Sequence, residues 1–165
     1  MKKLSVDKSK FKFRYLPDYA DHILKNKLEE FVTVSIRFCR ELDLPMLKPL
    51  AKMPEKELVA LSLESNRQIL EGLVKGTISD LIENNLNTWT NNKLEVLDKS
   101  EIAIEDMTLG YYIRRKTFAH FLYGYTVSAP IQQAITAEVD AYTSMEELIS
   151  LKTYVEIQNE IKLGK

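Results

Sequence analysis

The chain has 165 residues, with 23 Lys and Arg against 24 Asp and Glu, a formal net charge of −1, and 45% hydrophobic and 28% charged side chains. That length builds one domain with a sizeable core and excludes two ordinary ones. The composition excludes a collagen-like repeat, a disulfide framework and wholesale disorder, and the near-neutral charge argues against a dedicated nucleic-acid binder. The balance is a sum of unlike parts. Residues 2–14 hold six basic side chains and one acid, a net of +5, and the remainder, with 17 basic and 23 acidic residues, carries −6.

Residues 1–16 read as a basic extended arm. Phe11, Phe13 and Tyr15 alternate with Lys10, Lys12 and Arg14, and with no second strand in view these aromatics are expected to pack on the body. The lysines offer a contact for an anionic partner, although a solvated arm is the plainer reading. A first helix is predicted from about Asp18 to Leu42, opened by Pro17 and Asp18 and carrying Leu24, Leu28, Phe31, Ser35, Phe38 and Leu42 on one face. Residues 43–53 hold two prolines and read as a linker with one helical turn near Met46–Leu50. A second helix starts near Pro54, where Glu55 and Glu57 suit the positive end of the helix dipole. Gly72 and Gly76 mark a close crossing or a break, after which Thr77 restarts a helix bearing Ile78, Leu81, Ile82, Leu86 and Trp89. Residues 91–105 are polar and irregular, with Leu94, Val96, Leu97, Ile102 and Ile104 as anchors. An aromatic-rich helix then spans about Asp106 to Thr126, and Pro130 opens a last helix that runs almost to the end. The expected fold class is all-α, with about five main helices.

The chemistry-bearing motifs are missing. The two histidines, His22 and His120, lack the Glu-x-x-His pairing of a di-metal bundle, and no Cys/His cluster suits zinc. There is neither a glycine-rich phosphate loop nor a Gly-x-Ser-x-Gly elbow. The acidic doublets Glu29-Glu30, Glu105-Asp106 and Glu146-Glu147 diverge around a helix, so they read as solvated faces rather than catalytic dyads. The expectation is therefore no catalytic residue, no metal and no cofactor. His120, set among Phe118, Ala119, Phe121 and Leu122, is the one residue a haem would use, and it reads more simply as a histidine at the edge of a core. Cys39 is the only cysteine; it excludes an internal disulfide and reads as a small buried hydrophobe. No apolar run reaches the ~20 residues of a membrane span, and no signal-peptide core follows the basic start, so a cytoplasmic protein is expected, without membrane insertion.

The last helix carries more apolar surface than one contact absorbs. Ile131, Ile135, Val139, Tyr142, Met145 and Ile149 form a stripe for the body. Leu148, Leu151 and Val155 step along a second face, and Tyr154, Ile157 and Ile161 along a neighbouring one. These six residues are the predicted dimerisation and signalling surface, with a second copy of the chain as partner.

Tyr111-Tyr112-Ile113-Arg114-Arg115-Lys116-Thr117-Phe118, His120-Phe121-Leu122, the turn at 125–130, Ala137-Glu138-Val139-Asp140-Ala141-Tyr142 and Ser150-Leu151-Lys152-Thr153-Tyr154-Val155-Glu156-Ile157-Gln158 together resemble the N-terminal non-haem globin-like sensor domains of RsbR-type stressosome proteins and related bacterial sensor histidine kinases. The resemblance covers about residues 17–161 in helix order. It implies a globin-like domain over 17–165, dimerised through the last helix, that passes a signal to a STAS, PAS or kinase effector in cis or in trans. It also implies that a haem globin's proximal histidine would fall in about Asn92–Ile104, which has none. The pocket is then expected to be filled by Trp89, Phe118 and Phe121. Two alternatives remain beside this reading: a haem- or small-ligand-binding sensor, and a stand-alone helical interaction adaptor.

Overall fold

The computed structural model describes residues 5–91, 98 and 100–164. Among the described residues the regular structure is helical throughout, with six α-helices, two 3-10 turns and no strand. The expected all-α bundle is what the chain forms.

The arm is folded at its centre. Asp7 Oδ1 accepts the Ser9 N–H at 3.1 Å and caps a 3-10 turn over Lys8–Phe11. Val6, Phe11 and Leu16 all belong to the main core, so residues 6–16 are part of the domain rather than a tail beside it.

The predicted first helix is two. Helix α1 spans Leu16–Asn26 and α2 spans Leu28–Glu41, joined at Lys27 with φ −139° and ψ 10°. The Asn26 side chain donates to the His22 carbonyl at 3.0 Å, a local bond that competes with the helical ladder where the axis bends. Helix α1 also starts two residues before Asp18. Its opening N–H groups are satisfied by a distant carboxylate, described below, which no local signal announces.

Residues Pro45–Leu50 form the second 3-10 turn, near the turn expected in the linker. Helix α3 spans Glu55–Lys75 and α4 spans Ile78–Thr90. The two glycines near their junction divide the expected tasks. Gly76 sits at φ +69° and ends α3, with the Thr77 N–H on the Gly72 carbonyl at 2.8 Å. Gly72 supplies the close crossing, since a methyl there would lie 3.2 Å from the Ile78 Cα. Of the anchors expected over 91–105, Leu94, Val96 and Leu97 fall outside the described residues, Ile102 is buried, and Ile104 is exposed.

Helix α5 spans Ile104–Tyr125 and α6 spans Ala129–Lys162, so the last helix has the predicted reach. Asp106, in the first turn of α5, is buried and holds two segments at once. Its Oδ2 accepts the Ala103 N–H and its Oδ1 accepts the Met46 N–H, both at 2.9 Å, which ties the Pro45–Leu50 turn to the head of α5.

Helices α1 and α2 both lie on α3, α2 also meets α5, and α5 and α6 form an antiparallel hairpin whose second helix reaches back to α4. The main core is aromatic. The Phe31 ring meets Phe118 at 5.1 Å and Phe121 at 5.8 Å, and the Tyr19 hydroxyl donates to the Phe118 carbonyl at 2.5 Å. A smaller cluster of Val32, Ile36, Leu58 and Val59 closes the α2–α3 end.

Candidate ligand cavity and signalling helix

Between α2, the Pro45–Leu50 turn, α3 and α5 the packing leaves a cavity of about 460 Å³. Its walls are mostly apolar, from Phe31, Ile36, Leu47, Leu50, Ile69 and Ile113. Polar side chains line it as well: Ser35, Ser62, Ser65, Asn66, Asn85, Arg114 and Thr117. Its volume lies within the range of small-molecule sites, and its lining combines apolar bulk with polar groups that could orient a ligand.

Arg114 connects this cavity to α6. Its Nη1 donates to Glu146 Oε2 at 2.6 Å and to the Tyr142 hydroxyl at 3.0 Å. The two side chains are sheltered, with Arg114 25% and Glu146 10% exposed. Burial alone would pull the guanidinium down, but the Glu146 carboxylate, Tyr142 and Tyr111 reverse that and hold it firmly cationic. The guanidinium also lies over the rings of Tyr111 at 5.4 Å and Tyr142 at 6.0 Å. The Nη1 atom carries all of Arg114's hydrogen bonds among the described residues, which leaves Nε and Nη2 as unused donors on a residue that lines the cavity.

The same seam continues along the hairpin. Tyr111 and Ser150 share a hydroxyl–hydroxyl bond of 2.7 Å, and Arg115 Nη1 donates to Thr143 Oγ1 at 3.3 Å and lies 3.4 Å from Glu147 Oε2. Burial raises the phenols of Tyr111 and Tyr142 above their ordinary value. Glu146 was expected on a solvated face and instead is buried against Arg114. The signal for this was present: Arg114 and Glu146 each stand 16 residues from Pro130, so an antiparallel hairpin turning there brings the two together.

The six residues predicted for the dimer face separate into two groups. Leu148 and Val155 are exposed at 46% and 54%, and Leu151 is half-buried. They extend a surface row through Ala137, Ala141 and Ser144, all exposed, with spacings alternating between four and three. The neighbouring face belongs to the chain's own core. Ile157 is fully buried and Tyr154 packs against the same core, whereas Ile161 at the end of the row is exposed. Ile157 is therefore not a surface residue, because the C-terminal half of α6 is already covered on that side by its own chain.

The predicted pocket filling is also divided. Phe118 and Phe121 both pack on the Phe31 ring, whereas Trp89 lies on α4 and makes no ring contact with either among the described residues. Trp89 is buried, and its indole Nε1 has no hydrogen-bond partner among the described residues. His120 is exposed, edge-on to Phe38 at 6.3 Å and Phe121 at 5.0 Å, and is not among the residues lining the cavity. Cys39 is half-buried beside the cavity, and burial pushes its thiol up to about 11. Among the described residues no group of His, Cys, Asp and Glu is arranged to hold a metal ion, and no helix is long and apolar enough to cross a membrane.

No family model, curated protein or solved structure matches this chain.

Proposed function

We propose that this chain is a non-enzymatic sensory input domain of a bacterial signalling protein, of the stressosome or sensor-kinase type. It acts in the cytoplasm, dimerises along α6 and drives a STAS, PAS or kinase effector. The observation that carries this reading is the surface row Ala137, Ala141, Ser144, Leu148, Leu151 and Val155, exposed except for the half-buried Leu151. Alternating steps of four and three place one residue per turn along a single line, which is the spacing of a two-helix seam. The small residues at its start allow close approach and the larger ones beyond supply apolar area. Ile157 and Tyr154 take no part in that seam, since they hold α6 to its own body.

The cavity favours the small-ligand form of the same reading. A compact, largely apolar molecule with one acceptor group fits the walls and meets Arg114. A ligand changes an equilibrium only through its different affinity for two states. Here the difference arises if Arg114 can divide its hydrogen bonds between the ligand and Glu146 on α6. The signal then travels from the cavity to the helix through one guanidinium.

The test is association in solution. Leu148→Glu, Leu151→Glu and Val155→Glu, singly and together, are expected to convert a dimer to a folded monomer by light scattering. A mass that stays dimeric in the triple variant, or a monomeric parent protein, overturns the interface.

A further inference from the structure

The basic arm has a contact that its charge does not explain. Glu138, in the first third of α6, accepts three backbone N–H groups from the segment leading into α1. Arg14 donates to its Oε1 at 2.9 Å, and Tyr15 and Leu16 to its Oε2 at 2.9 and 2.7 Å. The opening N–H groups of a helix have no partner inside it, and a carboxylate there gains from both the hydrogen bonds and the helix dipole. This carboxylate comes from a position more than 120 residues away, so the start of α1 and the first third of the last helix are tied at one point.

The tie has neighbours on both sides. One helical turn further along α6, the Phe13 ring meets Tyr142 edge-on at 6.4 Å, with Phe11 behind it at 6.5 Å. On the α4 side, Lys8 pairs with Asp80 at 2.6 Å and the Val6 N–H reaches Glu83 Oε2 at 3.4 Å. Residues 6–16 thus run from α4 across to α6. Tyr142, which Phe13 covers, is fully buried and accepts from Arg114.

We infer that residues 6–16 are a strap that sets the freedom of α6, the helix assigned above to signalling. The strap holds α6 at Glu138 and Tyr142, the turns just before the Arg114–Glu146 pair and the exposed Leu148–Val155 row. When it lifts, Glu138 loses three donors and Tyr142 loses its cover, so the segment from 138 to 150 loosens while the α1–α3 core stays closed. This inference rests on the proposed role of α6 only for its biological meaning; the mechanical claim stands by itself.

Amide hydrogen exchange on the full chain, read residue by residue, tests it. The variants are Glu138→Gln, which keeps size and weakens the triple bond, and Phe13→Ala, which removes the lid on Tyr142. Both are expected to speed exchange at Tyr15 and Leu16, and to speed exchange across 143–150 at least tenfold, while Leu70 and Leu73 in α3 keep the parent rate. Acceleration confined to the arm overturns the inference, as does an unchanged arm. Equal acceleration everywhere, α3 included, also overturns it, since the arm then adds only general stability. A monomeric parent protein would sink the proposed dimer and leave this measurement unaffected.

Discussion

The two faces of α6 depart from the usual arrangement of an amphipathic helix. Its inner face buries Thr143, Glu146, Ser150 and Thr153 among Ile135, Val139, Tyr142 and Ile157. Its outer face leaves Leu148 and Val155 in the open. A helix selected only for stability would place its apolar groups inward and its polar groups outward. Buried polar groups are tolerated when they are satisfied, and here they are: Glu146 by Arg114, Ser150 by Tyr111, and the two threonines by carbonyls one turn back. The contrast teaches that the inner face fixes position and register, whereas the outer face is kept for a contact outside the domain.

The largest expected effect comes from breaking the inner face at its charge. Glu146→Ala leaves the sheltered Arg114 cation without its carboxylate and is expected to cost about 3 kcal/mol, at the lower end for a broken buried pair because Arg114 keeps some exposure. The double variant Arg114→Met, Glu146→Leu should recover most of that loss in a urea titration, since no uncompensated charge remains. A double variant as unstable as Glu146→Ala would show that the pair does more than neutralise itself. Ile157→Ala follows closely. The side chain is fully enclosed, and its removal is expected to lower stability by about 2–5 kcal/mol.

Much of this contrast was not legible in the sequence, for a definite physical reason. Periodicity reports which side chains are apolar, and so it found every main helix but the division between α1 and α2, the break at Gly76 and the body-facing row of Ile135, Val139 and Tyr142. It treats any polar residue as solvated, and so it placed Glu146 outside. Long-range partnerships leave no local trace: Glu138 capping α1 and Asp106 pinning Met46 are set by tertiary geometry. The same holds for Ile157, whose row looks as free as that of Val155 until the body of the domain is in place. The interruption at Lys27 is short-range, but it lies between strong helical patterns on both sides and gives no sign of its own.

Alkaline pH separates the interior from the surface more gently. Burial pushes the Cys39 thiol up to about 11 and raises the phenols of Tyr19, Tyr111 and Tyr142 above their ordinary value. For such groups the folded state keeps protons that the unfolded state has released. Their contribution is complete below the unfolded values, 9.0 for the thiol and 10.0 for the phenols, and declines as pH rises toward the folded ones. Urea midpoints should therefore fall progressively above about pH 9. A midpoint that holds steady to pH 10.5 would mean that these groups are open to solvent. The thiol has a second readout. A shift from 9.0 to about 11 lowers the thiolate fraction about a hundredfold at pH 8, and alkylation by iodoacetamide should slow accordingly relative to a free cysteine.

The smallest effect on stability is the sharpest test of the two faces. Val155 lies two residues before Ile157 on the same helix and is 54% exposed. Truncating it removes little buried area and leaves no cavity, so Val155→Ala is expected to change the stability of the monomeric fold by no more than about 0.5 kcal/mol. The measurement belongs in a background already made monomeric by Leu148→Glu, because association would otherwise add to the apparent stability of the parent. In the dimerising background the same substitution should weaken association, with a larger fraction of monomer at low concentration. A loss near that of Ile157→Ala in the monomer would mean that Val155 is covered by its own chain, and the outer row would then be one more part of the core. Near-neutrality in the monomer together with weakened association would place these two neighbouring side chains on different tasks, one holding α6 to its domain and the other joining it to its partner.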